Sequence, residues 1–132
     1  MARRDISVII LFNENKDILL QHRAEDAKRL PGYWAFFGGG IEMHESAIAA
    51  VKREALEELS YHLDNPKEVM VQDFGDENQG GIKHVFVEKY DPSIKLELQE
   101  GQGMKWVTIA ETKSMKIVDH DKKVLAYIKD KY

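Results

Sequence analysis

Apolar and polar residues along the chain follow two rhythms, and the change of rhythm marks the elements. Ile6–Phe12 (ISVIILF) is a β-branched run that stops at the turn-like Asn13-Glu14-Asn15-Lys16-Asp17, and a second strand resumes over 18–23. Together they predict a hairpin with a buried first strand. Residues 34–37 are aromatic and predict a short buried strand leading into a glycine loop, Gly38-Gly39-Gly40. Over 46–59 the period lengthens, and Ile48, Val51, Ala55 and Leu59 fall on one helical stripe. Beyond the turn signal Asn65-Pro66, residues 68–74 and 82–90 read as two strands joined by GDENQGG. A loop opens at Asp91-Pro92. A further strand follows over 104–108, and a closing helix over 119–131 has Val124, Leu125 and Ile128 as its apolar side. With no internal repeat, low-complexity tract or linker, the pattern predicts one α/β domain over residues 1–132, with mixed strands and two main helices.

Composition narrows the function classes. The 132 residues are 43% hydrophobic and 32% charged, ordinary for a globular protein. A net charge of −4 provides no global basic field, so no nucleic-acid polymer is expected as a partner. An anionic substrate must instead be met by local cations or by metal. The absence of cysteine excludes disulfides and thiol catalysis and suits a reducing, cytoplasmic setting. The apolar run after Asp5 is too short for a signal peptide and lacks a small-residue cleavage site. No stretch is long enough to span a bilayer, and no membrane partner is expected. Oligomeric state, monomer or homodimer, is not encoded in any pattern.

The candidate chemistry lies on the first helix. Glu54, Glu57 and Glu58 sit at i, i+3 and i+4 and gather on one face, with the small Ala47 and Ala50 on the same side. Glu42 and Glu45 precede the helix, where anions suit its positive end. Glutamate-rich helices are usually solvated surfaces. Here like charges repel, and only Lys52 and Arg53 are near in sequence. Converging carboxylates without matching lysines suit a hard divalent cation, Mg²⁺ or Mn²⁺, and the glycines can bring bare backbone close to it. Arg23, Lys28 and Arg29 lie beside the glycines and read either as phosphate contacts or as solvated loop charges. Arg23 stands out because it leaves a strand end. The five histidines form no zinc pattern.

Gly39, Glu45, Arg53, Glu54, Glu57 and Glu58 fall in register with the Nudix box, G-x5-E-x7-R-E-U-x-E-E-x-G-U, where U is aliphatic. The chain therefore resembles the Nudix hydrolases, and QHRAEDAK, YWAFFGGGIEMHES and QEGQGMKWV resemble the MutT-type nucleoside triphosphate pyrophosphohydrolases. Departures are Ala55 at an aliphatic position, Ser60 for the glycine, Tyr61 at the last aliphatic position, Phe37 for a usual proline and Gly40 for a frequent lysine.

The resemblance implies the Nudix fold, an α/β/α sandwich around a mixed β-sheet with a loop–helix–loop, and metal-dependent hydrolysis of a nucleoside diphosphate-linked substrate. A nucleoside triphosphate, ordinary or oxidised, cleaved to monophosphate and pyrophosphate is the first expectation. The alternatives are ADP-ribose or another nucleoside diphosphate sugar, and a non-catalytic nucleotide-binding module. The proline of ADP-ribose enzymes is replaced by Glu77, and the box carboxylates a binding module would lose are all present. By motif position, Glu57, Glu58 and the Gly38 carbonyl would hold metal, with Glu100 as a further ligand. Glu54 would be a ligand or the general base. Arg53 would orient the carboxylates, while Glu45 and Gly39 would be structural. Arg23, Gly39 and Gly40 are candidates for substrate contact, with Phe36, Phe74, Asp119 and Asp121 for the base. Core packing is the commoner fate of such aromatics and N-capping that of Asp119.

Overall fold

The computed structural model describes residues 2–76 and 79–131. Its elements are β1 (Ala2–Arg3), β2 (Ile6–Phe12), β3 (Ile18–His22), β4 (Trp34–Ala35), β5 (Phe37–Gly40), α1 (Ala47–Leu59), β6 (Lys67–Gly75), β7 (Gln79–Lys89), β8 (Gly103–Val107), a short 3-10 helix (Ala110–Ser114) and α2 (Asp119–Ile128). The predicted loop between β6 and β7 includes Glu77 and Asn78, which lie outside the described residues.

Strand β2 is the pivot of a mixed sheet. It runs parallel to β7, with Val8 opposite Val85, and antiparallel to β5, with Val8 opposite Gly38. Strand β6 extends this arm antiparallel to β7, with a register shift between Glu68 and Met70, and β1 adds a short parallel pairing. A second arm, with β8 and β4 both antiparallel to β3, joins the first where Phe12 pairs with Ile18. The expected hairpin is therefore present, but it parts almost at once into two arms.

Alternation along β2 explains the layers. Ile6, Val8 and Ile10 enter a core with Phe36, Phe74, Val85, Val107 and the α2 residues Val124, Leu125 and Ile128. Ile9 and Leu11 face the other way, into a core with Phe37, Phe86 and the α1 residues Val51, Ala55 and Leu59. Both faces of the strand are buried, so it reads as a continuous apolar run. Each fully buried Ile or Leu contributes about 2–3 kcal/mol of transfer free energy. This is the α/β/α sandwich expected from the resemblance.

Three expectations are corrected. Residues 34–37 do not form one strand followed by a glycine loop: β4 pairs with β3, β5 pairs with β2, and the chain crosses between arms at Phe36. The glycines are strand residues because only a strand without side chains fits there. A Cβ at Gly38 (φ +141°) would lie 2.2 Å from the Ser7 carbonyl oxygen. Ile48 is exposed, and the inner face of α1 is Ala50, Val51, Ala55, Glu58 and Leu59. The closing helix ends at Ile128.

Helix α1 begins at Ser46, whose hydroxyl accepts the Ala49 N–H at 3.1 Å. It ends at Ser60, which takes the left-handed conformation (φ 54°, ψ 35°) and donates its N–H to the Ala55 and Leu56 carbonyls. Tyr61 then turns into the core, and its hydroxyl accepts the Asp91 N–H at 3.0 Å. No described helix is long and apolar enough to cross a membrane.

Candidate active site

Arg53 organises the polar face of α1. Its Nε and Nη2 donate to the two oxygens of Glu45 at 2.8 and 2.9 Å, a bidentate pair. Nη1 donates to Glu54 at 2.9 Å and to Glu57 at 3.4 Å, and Nη2 also reaches the Gly40 carbonyl at 3.0 Å. One guanidinium thus ties the loop before the helix, two helix carboxylates and strand β5 together. The Arg53 hydrogen bond holds the Glu45 carboxyl down at about 2. Glu45, directly before the N-cap Ser46, gives its oxygens to Arg53 and to the Glu42 N–H, and the first turn of α1 itself holds no acid.

Glu58 is the buried member of the set. Its Oε1 accepts the Gly38 N–H at 2.8 Å. Burial, then a hydrogen bond with Glu100 and the charge of Glu54, push its carboxyl up to about 9. Glu54 is also raised, first by burial, then by the charges of Glu57 and Glu100 against the opposing pull of Arg53. Glu57 stays largely exposed. Among the described residues no three acidic or histidine side chains already form a closed ligand set for an ion. The chemistry of the donors nevertheless fits a hard divalent cation. Glu54, Glu57, Glu58 and Glu100, from α1 and the loop before β8, are all oxygen donors, burial makes Glu54 and Glu58 resist ionisation without a cation, and Arg53 is the counter-charge bound among the helix acids.

A cavity of about 120 Å³ opens beside this cluster. Its walls include Ile6, Val8, Leu30, Ala35 and Phe36; Gly38, Gly39 and Gly40 run along one side; Arg4, Arg23 and Arg29 bring positive charge; and Lys83, His120 and Asp121 form a polar end. Of the expected substrate residues, the fold gathers Arg23, Phe36, Gly39, Gly40 and Asp121 here. Phe74 packs behind the polar end, its ring 5.1 Å from that of His120, and is core rather than lining. Asp119 is exposed at the first position of α2, away from the lining. It is not the N-cap, which is Val118. Lys28 is exposed on its loop.

Burial lowers the Arg23 pKa, Arg29 adding to the effect, and its Nε donates to the Arg29 carbonyl at 2.8 Å. Arg23 also borders a shallower groove with Gln21 and Glu100, so it stands between cavity and carboxylates. The cation missing at position 40 is replaced in space: a Cβ at Gly40 would lie 1.9 Å from Arg4 Nε.

Sequence reasoning missed a polar chain at the cavity end. Arg29 Nη2 donates to Asp76 Oδ2 at 2.7 Å, and the same oxygen meets His120 Nε2 at 3.2 Å. Lys83 Nζ lies 2.6 Å from His120 Nδ1 and 2.5 Å from Asp121 Oδ1. Burial lowers the Lys83 pKa. Burial also works against the Asp121 charge, but His120 and Lys83 more than offset it and hold the carboxyl below its usual range. The signal was present: Lys83 shares strand parity with the core residues Val85 and Val87, a charge where period two demands an apolar side chain.

The arrangement has known counterparts. The family model described as NUDIX domain matches residues 1–128, and the chain belongs to that family. Nucleoside triphosphatase NudI of Enterobacter sp. (strain 638) is 41% identical over 64 residues, which are 48% of this chain and 45% of that protein. The match thus spans less than half of the relative's length. Among solved structures, the MutT protein from Methanosarcina mazei Go1 superposes with a TM-score of 0.85 at 20% identity, over 96% of this chain and 92% of that one. The MutT NUDIX hydrolase from Burkholderia pseudomallei gives 0.82 at 20% identity, over 96% and 98%. These likenesses show that the chain has the fold of MutT-type proteins.

Proposed function

We propose that the protein hydrolyses a nucleoside triphosphate, adding water across a phosphoanhydride to give a nucleoside monophosphate and pyrophosphate. The observation that carries this reading is one juxtaposition. A carboxylate cluster ordered by Arg53 adjoins a small cavity with apolar walls and a cationic rim. A triphosphate needs all three parts: a slot for its base, positive charge for its phosphates and acidic groups for the reaction.

Glu57, Glu58, Glu100 and the Gly38 backbone would hold Mg²⁺, with Mn²⁺ as a substitute. When bound, the cation neutralises phosphate charge and acidifies water. The remaining steps belong to the chain itself. Glu54, half-buried and raised in pKa, is suited to take a proton from the attacking water. Arg53 fixes one Glu54 oxygen and leaves the other for that task. Arg23 and Arg4 suit phosphate oxygens at the cavity mouth. Catalysis of this kind depends on positioning and electrostatics more than on covalent chemistry.

The test is a product panel with Mg²⁺, covering ordinary and oxidised nucleoside triphosphates, ADP-ribose and nucleotide sugars, with pyrophosphate distinguished from monophosphate. Pyrophosphate from triphosphates, abolished in Glu57→Gln, is the expected result. Two monophosphates from ADP-ribose with triphosphates untouched would overturn it. Metal-dependent binding without turnover of any substrate would mark a binding module instead.

A further inference from the structure

A glutamine stands in β3 where the sheet asks for an apolar side chain. Leu19 and Leu20 are each 1% exposed, and Gln21, on the same side of the strand as Leu19, is 4% exposed. A buried amide is costly unless it is hydrogen-bonded. Gln21 Nε2 donates to the Glu100 carbonyl at 3.2 Å, 79 positions away in the chain. Glu100 itself is exposed, on the turn before β8.

That turn is held at both ends. The chain leading into it takes carbonyls left free at the C-terminus of α1: Glu97 N–H donates to Leu59 at 2.9 Å, and Gln99 N–H to Glu58 at 2.8 Å. On its far side, Gln102 N–H donates to the His22 carbonyl at 2.8 Å, and Gln102 Nε2 to the Arg23 carbonyl at 2.8 Å. Gly101 (φ +85°) lets the turn lie close against β3. A Cβ there would be 2.7 Å from the His22 carbonyl oxygen and 3.1 Å from Gln21 Nε2. The turn thus bridges the end of α1, which presents Glu58, and the end of β3, which leads into Arg23. Gln21 grips it in the middle.

We propose that Gln21 is a positioning residue for the metal ion: by holding the Glu100 backbone against β3, it keeps the Glu100 carboxylate beside Glu58, ready to bind. The inference rests on the reading under Proposed function, in which Glu100 is a ligand. Gln21 acts through Glu100 alone. A glutamate on an exposed turn loses backbone and side-chain freedom when it takes up an ion. With the backbone fixed beforehand, only the side chain remains to be ordered, and the ion binds more tightly. Methionine at position 21 would fill a similar space and leave the Glu100 carbonyl without its donor.

The experiment titrates Mn²⁺ into nucleotide-free protein and measures free Mn²⁺ by electron paramagnetic resonance. It compares the wild type, Gln21→Met, Glu100→Gln and the double variant, with folding followed by thermal unfolding. Gln21→Met should weaken Mn²⁺ binding about 10–100-fold, and Glu100→Gln at least as much. In the Glu100→Gln background, Gln21→Met should cost only about twofold or less, because the carboxylate it positions is already gone. In kinetics, Gln21→Met should raise the Mg²⁺ concentration for half-maximal hydrolysis and leave kcat at saturating Mg²⁺ near the wild-type value. Equal losses with and without the Glu100 carboxylate would mark a merely structural role and overturn the inference. So would wild-type Mn²⁺ affinity in folded Gln21→Met. Gly101→Ala disturbs the same contact from the exposed side and decides in its place if Gln21→Met does not fold. Weaker Mn²⁺ binding that disappears in the Glu100→Gln background sustains the inference, and wild-type affinity overturns it. If Glu100→Gln binds Mn²⁺ as tightly as the wild type, or the wild type binds none, the ligand reading under Proposed function fails as well. If Glu100→Gln weakens binding and Gln21→Met does not, that reading stands and the inference alone falls.

Discussion

The Gly38 backbone N–H and the Glu58 carboxylate meet at 2.8 Å although 20 positions separate them in the chain. This contact ties α1 to β5 and favours the charged carboxylate, but the burial of Glu58 outweighs it. The folded-state value of about 9, against 4.5 for an ordinary glutamate, makes stability pH-dependent. Between these values the native state holds a proton that the unfolded chain has released, so stability falls as pH rises. The contribution is fully present below about 4.5 and lost by about 9. Urea unfolding of the protein in chelator should show this decline, Glu58→Gln should flatten it, and Mg²⁺ should diminish it. A pH-independent midpoint would argue against the buried Glu58.

Arg53 acts through its fork, not only through its charge. Arg53→Lys keeps a cation but loses the two parallel bonds to Glu45 and the simultaneous reach to Glu54 and Gly40. Nucleotide hydrolysis should fall about 10–100-fold, the usual cost of losing a ligand-orienting partner. Steady-state kinetics should place the loss mainly in kcat. Unchanged turnover would show that Glu45 and Glu54 are ordered by something else.

Two neighbouring glycines should respond very differently to alanine. At Gly38 the new methyl meets backbone, the Ser7 carbonyl oxygen and Val8 Cα, at a φ of +141°. Gly38→Ala should cost about 3 kcal/mol or more. At Gly40 it meets the far end of the Arg4 side chain, which can swing away. Gly40→Ala should unfold close to the wild-type midpoint yet raise KM for a triphosphate by displacing Arg4. Chemical denaturation and steady-state assays on the two variants check both halves.

Ser60 carries a conformational cost at the helix exit. Its left-handed backbone suits glycine better, and Ser60→Gly should stabilise the fold by about 1 kcal/mol. The weak Gln99 contact to its hydroxyl, at 3.3 Å, offsets little of that gain. A lower thermal midpoint in the variant would refute this account.

The sequence disclosed whatever depends on local rhythm or fixed spacing. Strand β2 announces itself as an unbroken apolar run, helix α1 by its period, and the box carboxylates by their intervals along one helix. Contacts between remote segments left no such trace. The break at Phe36 arises because β4 pairs with the preceding strand β3 while β5 pairs with the more distant β2. Arg4 over Gly40 and the Arg29–Asp76–His120–Lys83 chain draw on separate elements, and no single window contains them. Phe74 and Asp119 lie off the cavity lining for a related reason: an aromatic or an acid near a site is placed by a turn of one residue either way. Lys83 alone was within reach, as a charge on the wrong parity of a strand.

The opposed faces of β2 bear on how such a protein can vary. Its even positions, Ile6, Val8 and Ile10, support the cavity and α2, while its odd positions, Ser7, Ile9 and Leu11, seat α1, Ser7 through a 2.8 Å bond to the Ala47 carbonyl. Parity along one strand therefore partitions the protein's tolerance. Drift at even positions reshapes what is admitted, and constancy at odd positions preserves the machinery that acts on it.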